Sequence, residues 1–353
     1  MSSNAEFNTI VIGAGQAGLA AGYYLRNKGD DFVILDENAA IGAAWRDRWD
    51  SLRLFTPTYN NHLPGMKFPK PDLYFPTKDE TADYLDAYAR QFDLPVHFGI
   101  KVNSLERNEA GYHIDAGQNH FHARHVIIAT GAFRTPNTPS IARELSKDIF
   151  QMHSSEYKKP SDMPADNALV VGAGNSGAEI ALDLARSGKK VWLAGRDVGR
   201  IPADKLGLFF GGKPYWWFMR NMMTINTPMG RKMKTAVLSH GSPLIRARRE
   251  EVAQAGVELL PRLIESQDDI PCVEDGQVIA AEGIIWATGF HPDYRWIKLP
   301  IFDEAGRPVH ERGVVPQAPG VYFLGLLFQT GITSSLLGGV GADARYITDK
   351  IMR

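Results

Sequence analysis

Three glycines in Gly13-Ala14-Gly15-Gln16-Ala17-Gly18 follow a short apolar run, Thr9-Ile10-Val11-Ile12, and precede an Ala/Leu-rich helical pattern through Arg26. The chemistry such a loop suits is the holding of a pyrophosphate. Glycine permits the tight turn, lets backbone N–H groups approach closely, and packs the helix whose positive end faces the phosphates. The same arrangement returns at Gly172-Ala173-Gly174-Asn175-Ser176-Gly177, after Ala168-Leu169-Val170-Val171 and before a helical pattern through Arg186. One such motif is weak, but two with matching flanks are strong. Asp36 stands 23 positions beyond Gly13, after Phe32-Val33-Ile34-Leu35, with Glu37 beside it. An acid there accepts hydrogen bonds from ribose hydroxyls. The same count from Gly172 reaches Gly195, then Arg196. With the acid absent and a guanidinium beside the vacancy, the second loop favours a dinucleotide carrying a 2′-phosphate.

These loops need strands and helices to hold them, and the chain repeats those as well. Val126-Ile127-Ile128 leads to Ala129-Thr130-Gly131, and Ile284-Ile285-Trp286 leads to Ala287-Thr288-Gly289. Gly13 and Ala129 are 116 positions apart, Gly172 and Ala287 are 115. Two copies of one βαβ-based unit are expected. Strand-like runs at 96–105, 112–115 and 121–128 fall in the first copy, and runs at 257–264 and 278–285 in the second. The expected fold is α/β with two Rossmann-like dinucleotide-binding domains of three-layer ββα type. Residues 1–157 and 286–353 form a discontinuous first domain, and 158–285 an inserted second one. An aromatic-rich insertion lies near 200–242.

Composition narrows the function classes. Acids and bases nearly cancel, with a net charge of −1 across 353 residues, so no nucleic-acid partner is expected. Cys272 is the single cysteine, which excludes a disulfide framework, a cysteine zinc cluster or a Cys-x-x-Cys redox pair within the chain. No metal is expected. The stretch from Met1 to Asn8 is short and largely polar, with no apolar signal region, and the apolar stretch 321–340 is interrupted by Gln329, Thr330, Thr333 and Ser334. A cytoplasmic protein with no membrane partner is therefore expected.

No side chain here performs redox chemistry alone, so cofactors must carry it. We assign NADPH to the second loop and FAD, as the electron acceptor, to the first. The tail segment Gly320–Gly325, followed by a helical pattern from about Ser335, would bring a helix N-terminus to the flavin edge.

The chain resembles the flavin-containing monooxygenase family over essentially its whole length, in particular short bacterial members related to metal-resistance-associated flavoproteins. Both glycine loops carry the resemblance, as do Ile41-Gly42-Ala43-Ala44-Trp45-Arg46, Ala129-Thr130-Gly131 and Ala287-Thr288-Gly289-Phe290. The second half of the family fingerprint is present as His153-Ser154-Ser155-Glu156-Tyr157. In its first half, Lys147 takes the aromatic slot and Ile149 the glycine slot. Ala43 is a further departure.

What the resemblance implies is an NADPH-dependent oxygenation of a small soft nucleophile, a sulfide or amine, by O2 through a flavin C4a-(hydro)peroxide. Candidate FAD contacts are Gly13, Gly15, Gln16, Ala17, Gly18, Asp36, Glu37, Trp45, Arg46, Val102, Thr130, Gly131 and Gly325. Candidate NADPH contacts are Gly172, Gly174, Asn175, Ser176, Gly177, Arg196, Thr288 and Gly289. Asn60, Asn61 and His153 are the candidate catalytic residues, with an interdomain lock the rival role for His153. The aromatic run from Leu208 to Met223 reads as a lid or access channel, or else as dimer interface or core; a homodimer is admitted among the partners. Two alternatives stand beside the oxygenase: a flavin reductase feeding a protein or quinone, and a non-catalytic redox sensor.

Overall fold

The computed structural model describes residues 3–132, 134–199, 212–240 and 244–352. In chain order the first strands are β1 (Ser3–Ile12), β2 (Phe32–Leu35), β3 (Val96–His97), β4 (Ser104–Asn108), β5 (Gly111–Ala116), β6 (Asn119–Ile128), β7 (Thr135–Pro136) and β8 (Phe150–His153). Then come β9 (Asn167–Val171), β10 (Lys190–Ala194), β11 (Glu258–Leu260), β12 (Leu263–Gln267), β13 (Ile270–Val273), β14 (Gly283–Trp286), β15 (Phe290–His291) and β16 (Val321–Phe323).

Seven strands make the first sheet, in the order β3-β2-β1-β6-β5-β4, with β16 also paired to β6. β6 serves two partners along one edge. Its early residues meet β5 antiparallel, and Val126–Ile128 meet β16 in parallel. The late strand therefore returns to the first sheet, as the discontinuous reading expects. The second sheet runs β11-β10-β9-β14-β8.

Apolar side chains alternate between two cores, because successive residues of a strand face opposite sides. Val11, Ile34, Ile127 and Tyr322 pack with the helices Gln16–Asn27, Lys78–Gln91 and Leu337–Ile351. Ile10, Ile12, Val33, Leu35, Val126 and Ile128 pack on the opposite side with Tyr112, Ile114 and Phe121 of the antiparallel strands. Helices, parallel sheet and β-layer follow in that order, which is the ββα layering. The second sheet divides likewise: Val170 and Leu193 pack with the helix Asn175–Arg186, and Leu169, Val171 and Trp192 face Val273 and Ile279. Each such fully buried aliphatic side chain contributes about 1.5–3 kcal/mol.

Three expectations change in detail. Residues 98–103 are not strand, and in the run 278–285 only Gly283 onward is. β8 lies on the first-domain side of the expected boundary at 157, yet its register with β14, Phe150 to Gly283 through His153 to Trp286, places it in the second sheet. Backbone pairing with a buried parallel edge outweighs its place in the chain. Among the described residues no helix is long and apolar enough to cross a membrane, and no group of acids, histidines and cysteines could hold a metal.

Candidate active site

Each glycine cradle shows the same three features. Gly13 has φ +107° and Gly172 φ +111°, a region that disfavours residues with a Cβ. A Cβ on Gly18 would stand 1.8 Å from the Gly13 carbonyl oxygen, and one on Gly177 1.8 Å from that of Gly172. Helix and turn can approach this closely only without side chains. Gly15 and Gly174, in contrast, face open space, with nothing within 4 Å of a Cβ at either. Those two glycines cap their helices with no side-chain bond, and no acid lies in either first turn. The N–H groups there remain available to an anion, and the residues present fit a pyrophosphate at both loops.

The ends of β2 and β10 differ as the spacing predicts, and the structure shows how. Asp36 Oδ2 accepts the Ala14 N–H at 2.6 Å, while Oδ1 accepts from the Asn38 backbone and side chain, both at 2.8 Å. In the second copy a Cβ at Gly195 would lie 2.5 Å from the Ala173 nitrogen, so the backbone itself fills the place that the carboxylate takes in the first. Arg196 lines an open cleft of about 460 Å³ together with Arg249, Arg262, Asp197 and Glu274. Arg249 lies 4.0 Å from Asp197. Arg249 and Arg262 were not candidates from the sequence. They come from a helix start and from the turn after β11, with no spacing rule that ties either to the loop.

Several other candidates already have protein partners. Glu37 is ion-paired to Arg134 at 2.6 Å, and Arg46 to Asp83 at 2.6 Å. Trp45 and Val102 are half-buried against the two cores of the first sheet. Gly131 and Gly289 have φ of +74° and +84°, with open space beside them. Thr130 is half-buried. The Thr288 hydroxyl donates to the Asn137 carbonyl at 2.5 Å. Asn175 accepts the Ile245 N–H at 3.0 Å, and Ser176 is half-buried at the next position. A Cβ at Gly325 would stand 2.9 Å from the Ala17 side chain, and Gln16 Nε2 donates to the Ser335 carbonyl at 3.2 Å. The tail loop thus sits on the first turn of the first cradle's helix.

The three catalytic candidates part company. His153 is buried, which lowers its pKa and keeps the ring neutral. Nε2 lies 3.0 Å from the Gly289 carbonyl, which can only accept, so the proton is on Nε2. Nδ1 then accepts from the Ser155 backbone at 3.1 Å and meets its hydroxyl at 2.8 Å. Nε2 thus ties β8 to the turn after β14, while Nδ1 fixes the ring against the local turn at Ser155. Asn61 spends both ends of its amide on Thr56, at 2.5 and 2.8 Å. Asn60 is different. Its Oδ1 accepts from Arg220 Nη2 at 2.7 Å, and a Cβ on Gly338 would stand 1.9 Å from its backbone carbonyl. Asn60 thereby joins the first turn of the helix Leu337–Ile351 to a residue 160 positions away.

Arg220 belongs to the aromatic insertion. Its helix, Lys213–Asn221, buries Trp216 and Met219, and with Met223 they pack on Phe55, Tyr59, Ile332 and Leu336. Ile225 N–H donates to the Thr330 carbonyl at 2.9 Å, and Ile332 N–H to that of Met223 at 3.0 Å. Here the segment covers the face where loop and tail meet. Trp217 is 62% exposed on its outer side. Phe209 and Phe210 lie outside the described residues. Burial pushes the phenols of Tyr59 and Tyr215 up to about 12, so both stay neutral.

Residues 10–205 match the pyridine nucleotide-disulphide oxidoreductase family. A CzcO-like oxidoreductase of Geobacillus kaustophilus is 38% identical over 98% of both chains. The chain belongs to the pyridine nucleotide-disulphide oxidoreductase family. It is a flavoprotein oxidoreductase, using FAD and a nicotinamide dinucleotide, and its similarity extends to flavin-dependent monooxygenases. A flavin-containing monooxygenase from Stenotrophomonas maltophilia superposes with a TM-score of 0.79 over 98% of each chain, at 26% identity. A probable indole-3-pyruvate monooxygenase of Arabidopsis thaliana is 26% identical over 97% of this chain and 88% of its own. Despite the family name, a redox disulphide cannot form within this chain, because Cys272 has no second cysteine and is buried.

Proposed function

We propose that the protein is an NADPH-dependent monooxygenase that transfers one oxygen atom of O2 to a small soft nucleophile. The observation that carries this reading is the apolar cover over Asn60. Trp216, Met219 and Met223 close the place where the first cradle's tail loop, the helix Leu337–Ile351 and the loop 55–61 converge. An electron-transfer enzyme serving a protein partner needs an accessible flavin edge, whereas an oxygenase needs a dry one. The names of the monooxygenase relatives support the same choice.

In this reading Gly13, Gly15 and Gly18 hold the FAD pyrophosphate, and Asp36 uses its remaining acceptor capacity on the ribose. Gly172, Gly174 and Gly177 hold that of NADPH, with Arg196 on the 2′-phosphate. Residues 1–157 and 286–353 serve FAD, and 158–285 serve NADPH, with β8 structurally part of the second sheet. When bound, the cofactors supply hydride transfer and oxygen activation. The chain's own part is to position and to seal. Asn60 is held at the helix N-terminus by Arg220, His153 holds the interdomain turn, and neutral Tyr59 lines the apolar wall without adding charge.

The balanced reaction is substrate, O2, NADPH and a proton giving oxygenated product, NADP⁺ and water. Turnover of methyl phenyl sulfide under ¹⁸O2 tests it. The expected product is labelled sulfoxide, with no more than a few NADPH consumed for each. NADPH consumption matched by hydrogen peroxide alone, and accelerated by a quinone, would establish a reductase instead.

A further inference from the structure

The charge distribution around Asn60 is one-sided. Three chain segments meet there: 55–66, 212–240 and 325–341. The first and third contain no acid, Arg or Lys, and the second contains five basic residues and no acid. Among the described residues, two nearby acids, Asp72 and Asp343, already have partners. Asp72 is 3.3 Å from Lys213. Asp343 is buried, which raises its pKa, and it interacts with Thr330, Ser334 and Arg312.

Arg220, an exposed residue of the helix Lys213–Asn221, reaches Asn60 from the insertion. One Nη2 contact goes to Asn60, and the same nitrogen is 3.4 Å from a Cβ placed on Gly338. The guanidinium offers five N–H donors, and among the described residues Asn60 is its one hydrogen-bond partner. The helix that carries it packs Trp216 and Met219, with Met223, against Phe55, Tyr59, Ile332 and Leu336, and the Arg220 charge reaches the Tyr59 phenol. An aromatic and thioether wall with one half-free guanidinium fits a ligand with an apolar body and an anionic end. A guanidinium binds a carboxylate through two parallel hydrogen bonds. A protonated amine would meet the like charge of Arg220, while among the described residues the acid that acts on Tyr59 and His62, Asp72, is already paired with Lys213.

Resting on the oxygenase reading for the role of this face, we propose that the site selects apolar substrates bearing a carboxylate, anchored by Arg220. Sulfide substrates with an acid group are thereby favoured over amines, and Arg220 is the residue that decides between them.

Three ligands of one shape separate the contributions: (phenylthio)acetate, methyl phenyl sulfide and 2-(phenylthio)ethylamine. Each is titrated into the FAD-loaded protein, following the change in flavin absorbance, and each is then assayed for sulfoxide. The expected order is carboxylate, neutral, ammonium, with the carboxylate bound tenfold or more tighter than the neutral sulfide, as suits a charge-assisted hydrogen bond. Arg220→Gln should abolish the carboxylate's advantage, Arg220→Lys should restore part of it, and Arg220→Glu should reverse the order. Flavin content and thermal unfolding of each variant report whether it is folded. Equal binding of all three ligands, or an order unchanged in folded Arg220→Gln, would overturn the proposal. Should the carboxylate preference appear while no ligand is oxygenated, the binding site stands and the monooxygenase reading falls.

Discussion

Arg196 shows how much one position can carry when its neighbour is glycine. An aspartate at 195 would bring a carboxylate against any 2′-phosphate, and the backbone contact between Gly195 and Ala173 leaves no room for a side chain at all. The guanidiniums of Arg249 and Arg262 then share the cleft with Arg196. We expect Arg196→Ala to weaken NADPH about tenfold or more while leaving NADH nearly unchanged, since a hydrogen bond to a charged group is worth about 1.5–3 kcal/mol. Arg262→Ala should act in the same direction by a smaller factor, because its chain position owes nothing to the loop. Apparent affinities for both coenzymes, measured side by side, check this. A parallel loss for NADH would assign these arginines to general stability.

At the scale of elements, each strand–loop–helix unit depends on a contact that tolerates no side chain. Gly177 packs its helix against the Gly172 carbonyl, and Gly18 does the same for its own copy. The two units sit in different sheets, so damage to one should spare the other. Gly177→Ala is expected to remove nicotinamide dinucleotide binding, displacing the helix start at a cost on the order of 1–3 kcal/mol, while FAD stays bound. The measurement is flavin content together with NADPH titration; loss of FAD along with NADPH would mean the units are not independent. The helix Lys78–Gln91 illustrates a more local logic. Thr77 and Glu80 form a reciprocal capping box, a pattern readable directly from Thr-x-x-Glu before an apolar stripe.

At the scale of the whole molecule, the insertion joins the two cofactor units. Its helix Pro228–His240 brings Lys234 near His310 of the tail, and burial first, then that positive charge, lowers the His310 pKa to about 4. Its Nδ1 accepts the Gly313 N–H at 3.1 Å, which requires the neutral ring. The unfolded chain binds this proton near pH 6.5 and the folded chain only near 4. Stability is therefore fully present above about 6.5 and falls as pH drops toward 4, because the unfolded state then holds more protons. His310→Gln should flatten that slope by up to about 3 kcal/mol across the window. Urea unfolding at pH 7, 5.5 and 4.5 would show it, and an unchanged slope would place the acid sensitivity elsewhere.

Local constraints made the two cradles readable in advance. Positive φ at a turn, close approach of helix to strand, and two-residue alternation of apolar side chains all act within about ten residues, so Gly13, Gly18, Gly172, Gly177 and the missing acid at 195 could be found from spacing alone. The internal echo likewise predicted two sheets and the return of the tail to the first. Other features depended on which distant segments pack together. Nothing in Asn60-Asn61 tells which amide is consumed by Thr56 and which faces Arg220. Spacing within the chain does not bring Arg249 and Arg262 to Arg196, nor carry β8 across to β14. Those partners are set by side-chain packing between segments far apart in the chain, where no period or turn rule operates. The sequence by itself therefore determined that two dinucleotides can be held and that only the first loop is followed by an acid at the ribose position. Only the tertiary structure decided what covers the space near Asn60 and which charge waits there.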